Sequence, residues 1–155
     1  MDRRTVLSAT ALLGSPSAFA HHGWSSFDQN RPLWLEGKAL SVAWRNPHAE
    51  LQLEPRADLA LPADLARREL PRQTAPVDAA AILKTTTLPT RKERRWEIEL
   101  APLTRLEAWQ VPVIKAGDTL AVIGFTFAGE KGDAVLRVEY LFFGGKVYAL
   151  RSAPA

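Results

Sequence analysis

The chain has 155 residues, no cysteine and a formal net charge of +3, with 46% hydrophobic and 24% charged residues. That is the size and composition of one ordinary globular domain, which excludes fibrous, disordered and multidomain architectures. Absence of cysteine excludes disulfides, zinc ribbons, iron–sulfur sites and thiol nucleophiles, and the slight basic surplus is too scattered to suggest a nucleic-acid partner.

Residues 1–20 read as an export signal. Arg3-Arg4 opens a short basic segment, 6–14 is apolar, and Ala18-Phe19-Ala20 ends in the small-x-small pattern that signal peptidases cut. The apolar run is far shorter than the ~20 residues that span a bilayer, and no later segment is long and apolar enough, so no integral membrane segment is expected. Arg3-Arg4-Thr5-Val6-Leu7 also fits the twin-arginine kind of signal. The expected location is periplasmic or secreted, and cleavage after Ala20 leaves a single domain over 21–155 that begins His21-His22-Gly23-Trp24.

Apolar and small residues over 37–44 predict a first strand, and Arg45-Asn46-Pro47 a turn. From 48 to 54, Ala49, Leu51 and Leu53 alternate with Glu50, Gln52 and Glu54, which predicts a half-buried second strand. A Pro-rich excursion over 55–92 follows, with the spacing of a helical turn or two at 61–70 and 79–83; it reads as partly ordered at best. Trp96, Ile98 and Leu100 alternate with charged residues in a third strand. Leu103, Leu106 and Trp109 then stand at helical spacing behind Pro102. Strands over 119–128 and 134–143 are joined by a Gly-containing hairpin loop, and 147–150 is a short edge strand. Three strands, a helix and two or three strands is the order of a small OB-like antiparallel β-barrel; a β-sandwich is the alternative. Leu51, Leu53, Ile98, Val122 and Val138 are the expected inward residues.

All three histidines lie near the start, His21 and His22 at the new N-terminus and His48 at the head of the second strand. An N-terminal histidine can chelate one ion with its α-amine and ring Nδ1, and an imidazole from elsewhere can complete a planar nitrogen site. Such a site suits Cu(II); once Met1 is cleaved with the signal, no sulfur ligand remains. The bland reading is a mobile polar terminus, with His48 bonded to a backbone carbonyl. Trp96 and Trp109 read as core, whereas Trp24 and Trp34 flank the histidines, with Asp28 and Glu36 as the nearest carboxylates. No nucleophile-and-base motif, paired acid site or phosphate loop is present.

His21-His22-Gly23-Trp24-Ser25-Ser26-Phe27-Asp28, then Leu35-Glu36-Gly37, Trp44-Arg45-Asn46-Pro47-His48, and later Trp96, Pro102-Leu103-Thr104-Arg105, Trp109 and Lys115-Ala116-Gly117-Asp118 follow in that order. In this the chain resembles the bacterial exported proteins grouped as domain of unknown function 6152. The resemblance implies export and a compact β fold, covers most of 21–155 except 55–92, and implies no established activity. The expected function is a non-catalytic copper-binding barrel with His21, His22 and His48 as ligands. The alternatives are a metal-free module binding a cell-envelope protein or saccharide, and a copper-dependent oxidase or monooxygenase.

Overall fold

A computed structural model describes residues 23–155; the expected export signal and His21 and His22 lie outside the described residues. The strands are β1 (Leu33–Ala43), β2 (Glu50–Pro55), β3 (Trp96–Glu99), β4 (Thr119–Phe125), β5 (Val135–Phe143) and β6 (Lys146–Ala149). Two short helices, α1 (Ala79–Thr85) and α2 (Leu103–Ala108), interrupt them.

β1 is long enough to pair antiparallel with β4 through its first half and with β2 through its second. β2 pairs with β3 and β4 with β5, and β3 closes on β5 in parallel. The closed order β1-β2-β3-β5-β4, with α2 between β3 and β4, is that of an OB-type barrel. Closure leaves none of these five strands an open edge, and β6 is added outside, against β5. The chain is a small all-β barrel and not a sandwich.

The alternation read from the sequence sets the interior. Leu51, Leu53, Ile98, Val122 and Val138 all lie in the barrel core, joined by Leu35, Trp96 and Leu106 of α2. Tight coiling needs two glycines. A Cβ on Gly37 would stand 2.0 Å from the Glu54 carbonyl oxygen, and one on Gly124 would stand 2.3 Å from that of Arg137. Gly124 sits at a β4–β5 register shift, where backbones approach too closely for any side chain.

Three expectations need correction. β1 begins at Leu33, four residues before the expected 37, because Leu33 and Leu35 face the barrel core while Trp34 is buried on the other side. A strand covered on both faces does not alternate in hydropathy. β4 ends at Phe125, and Ala128–Glu130 form a 3-10 turn. The third correction concerns 55–92, which is an ordered second layer. Its Leu65 and Leu83 join Trp34, Ile123, Tyr140 and Ala149 in a separate outer core.

Polar contacts fasten that layer. Asp78 caps α1 by accepting the Ala81 N–H at 2.9 Å. Thr87 runs beside β1, donating to the Pro32 carbonyl and accepting from the Trp34 N–H. Gln73 donates to the buried Glu139 carboxylate at 2.8 Å and accepts from the Ser152 N–H at 2.9 Å. Glu130 receives the N–H groups of Thr90 and Arg91 and an ion pair from Arg31 at 2.9 Å. Prolines and short helical pieces let scattered leucines reach one patch, a pattern with no sequence period.

Candidate metal site

His48 is held by its turn and not by its ring alone. The Asn46 side chain accepts the Leu103 N–H at 3.1 Å, which ties the Asn-Pro-His turn to the first residue of α2. Ala49 donates to the Ala101 carbonyl and accepts from the Leu100 N–H, both at 2.9 Å, so the pairing of β2 with β3 is continued by the residues just outside both strands, and β2 starts at Glu50 and not at the expected 48. Ala49 is fully buried in the barrel core, which puts His48 and Glu50 on the outer side of the wall. The His48 ring keeps 12% of its surface exposed, with Nδ1 3.8 Å from Glu50 Oε1.

From Glu50 a strip of charged residues crosses the outer wall. Glu50 faces Glu99 across β2–β3, and Glu99 faces Arg137 across β3–β5. Arg137 donates to Glu99 at 3.3 Å, and both side chains are almost wholly buried. Burial pulls the Arg137 guanidinium down from its ordinary range, and the Glu99 charge opposes the shift. Arg137 Nε has no hydrogen-bond partner among the described residues.

The N-terminal arm docks on the far end of this strip. The Trp24 ring lies 5.2 Å from the Arg137 guanidinium and 4.1 Å from that of Arg151, and meets Phe125 edge-on. Arg151 is fixed in turn by Glu139 at 2.7 Å and Gln29 at 2.8 Å. Phe27 stacks on Phe127, and the Asp28 N–H donates to the Thr126 carbonyl. Trp24, three residues beyond His21, is thus anchored on the strip that ends at His48.

The other expected neighbours divide. Asp28 accepts the Asn30 N–H and shapes its own turn. Glu36 pairs with Arg56 at 2.9 Å and is not part of the strip. Trp34 is buried in the outer core, apart from the charged strip, and its Nε1 has no hydrogen-bond partner among the described residues. Trp96 is core, as expected, while Trp109 is half-buried and donates to the Ser152 carbonyl. The carboxylate beside His48 is Glu50, and Glu99 stands opposite Glu50 on β3. Glu50 was legible as the next outward residue of the same strand, whereas Glu99 required the β2–β3 register. Among the described residues, no three His, Asp or Glu side chains gather as a metal site, so a multidentate site would have to draw on His21 or His22.

The fold and this strip define a small barrel with a docked N-terminal arm. Residues 10–60 match the model of a family described as "Family of unknown function (DUF6152)". The resemblance read from the sequence is thereby shown as a match to that family model over residues 10–60; the match does not by itself show the His21-His22 or Asn46-Pro47-His48 motifs. It is narrower than expected: Trp96, Pro102–Arg105, Trp109 and Lys115–Asp118 lie beyond the matched residues. No curated protein and no solved structure matches the chain. Among the described residues no helix is long and apolar enough to cross a membrane.

Proposed function

We propose that the mature protein is an exported, non-catalytic barrel that binds Cu(II) between its N-terminus and its wall. His21 supplies its α-amine and Nδ1, His48 supplies a ring nitrogen, and His22 is the third or alternate ligand. One observation carries this reading: Trp24 is anchored on the strip that runs through Arg137, Glu99 and Glu50 to His48. Three residues of extended chain reach about 11 Å, so the Trp24 anchor would tether the residue 21 amine within that distance of the strip. The Glu50 carboxylate lies 3.8 Å from Nδ1, beyond hydrogen-bond reach, and its charge beside that nitrogen supports Nε2 as the atom that meets the ion. The tryptophan-stacking alternative has less support, because Trp34 and Trp96 are buried and Trp24 is covered by Arg151.

The test is calorimetric titration of Cu(II) into mature protein whose N-terminus, verified by intact mass, is His21. One alanine added ahead of His21 should weaken binding as much as His21→Ala, because it moves the amine away and keeps the ring. His48→Ala should weaken binding while the melting temperature holds, and His22→Ala should cost less than either. Affinity should fall as pH drops, since protonated imidazole cannot coordinate. Unchanged affinity in His48→Ala would reduce the site to a sticky terminus.

A further inference from the structure

At the opposite end of β2 from His48, a cleft of about 730 Å³ opens between the barrel and its second layer, within the ~300–1,000 Å³ range of small-molecule sites. Its apolar lining includes Leu59, Leu88, Pro89 and Trp96. Five basic side chains (Lys38, Arg56, Arg91, Lys92, Arg94) and two acidic ones (Glu54, Glu93) complete the wall. That surplus of three equals the formal net charge of the entire chain. Without Asp2, Arg3 and Arg4 of the expected export signal the chain keeps 18 basic and 16 acidic residues, so the cleft carries a larger basic surplus than the mature chain as a whole.

The cations divide by task. Arg56 is committed to Glu36 and Asp58 at 2.9 and 3.0 Å. Arg91 is committed to Glu93 and to the carbonyls of Glu130 and Gly132. These pairs, with Glu130 holding the Thr90 and Arg91 amides, fix the two walls. Among the described residues, Lys38, Lys92 and Arg94 have no ion-pair partner, although all three line the cleft. Walls set by paired charges, with unpaired cations above an apolar floor, make a preformed receptor for an anion with an apolar body.

We infer that this cleft binds an amphipathic organic anion, a carboxylate or phosphate headgroup on an aliphatic or aromatic body. The headgroup meets Lys38, Lys92 and Arg94, and the body lies on Leu59 and Leu88. The inference is independent of copper, since no cleft residue belongs to the His48 strip.

The probe is 8-anilinonaphthalene-1-sulfonate, followed by fluorescence on the mature protein at neutral pH. Saturable enhancement is expected, displaced by decanoate (carboxylate headgroup) or decyl phosphate (phosphate headgroup), and whichever displaces at lower concentration identifies the preferred source. Lys92→Glu combined with Arg94→Glu should weaken the probe at least tenfold, while far-ultraviolet circular dichroism and the melting temperature hold, both residues being exposed. The uncharged analogue N-phenyl-1-naphthylamine should bind at least tenfold more weakly. Three results would overturn the inference: no saturable enhancement, equal affinity in the charge-reversed variant, or equal affinity for the uncharged analogue. Displacement by inorganic phosphate as readily as by decanoate would overturn its apolar half.

Discussion

Glu130→Gln tests how the second layer is fastened to the barrel. The Glu130 side chain is 3% exposed and ion-paired to Arg31 at 2.9 Å. It also accepts the Thr90 and Arg91 N–H groups and the Thr90 hydroxyl. Burial alone would push this carboxyl up, but the Thr90 and Arg91 hydrogen bonds and the Arg31 charge together hold it below its ordinary value of 4.5. Glutamine keeps the shape and the backbone tolerance for the positive φ of 54°, but its amide nitrogen faces donors and cannot accept them. Losing hydrogen bonds to a charged acceptor and leaving a buried donor unpaired should cost about 2–3 kcal/mol at neutral pH. The sign of the pH dependence follows from the lowered value. Glu130 contributes its stability above the carboxyl's unfolded value, and that stability is lost as pH falls through the folded one. Urea denaturation of both proteins at pH 7 and in steps toward pH 3 should show a wide gap that narrows on acidification. A gap independent of pH, or no gap at pH 7, would refute the charged-anchor reasoning.

Three further outcomes follow from the same contacts. Leu83→Ala, in α1 of the second layer, should lower stability by about 2–4 kcal/mol in urea titration, whereas a mobile excursion would lose almost nothing. Gly37→Ala should lower the melting temperature sharply, because its Cβ would stand 2.0 Å from the Glu54 carbonyl oxygen; a neutral result would mean that β1 and β2 can separate freely. Trp24→Ala should release the arm and weaken Cu(II) about fivefold through lost preorganisation, with ring and amine ligands intact; an unchanged calorimetric affinity would show that docking of Trp24 is irrelevant to the metal.

Legibility in the sequence tracked period and register. β2 and β3 alternate apolar inward residues with polar outward ones, so their inward residues could be read directly, although β2 starts two residues later than expected; β5, buried on both faces, was legible from its apolar content, and α2 announced itself by Leu103 and Leu106 behind Pro102. Trp34 had no alternating context, since β1 is covered on both sides there. The outer core was invisible for a related reason: Leu65, in a 3-10 turn over Leu65–Arg67, and Leu83, in α1, lie eighteen residues apart, and only the fold brings them to Ile123 and Tyr140. At the candidate site, His48 was legible from its turn and Glu50 from its strand. Glu99, Arg137 and Arg151 come from β3, β5 and the C-terminal tail, and only the fold sets Arg137 and Arg151 over Trp24 with Glu99 on Arg137. The basic cleft was equally hidden, its cations being spread from Lys38 to Arg94.

The claim that the arm and the barrel wall share one ion is tested most directly by electron paramagnetic resonance of mature protein loaded with one equivalent of Cu(II), compared with its His48→Ala variant. Loss of one imidazole from the nitrogen hyperfine pattern, with the rest of the site and the fold retained, is the predicted result. Identical spectra would contradict the account, leaving the copper on His21 and His22 alone.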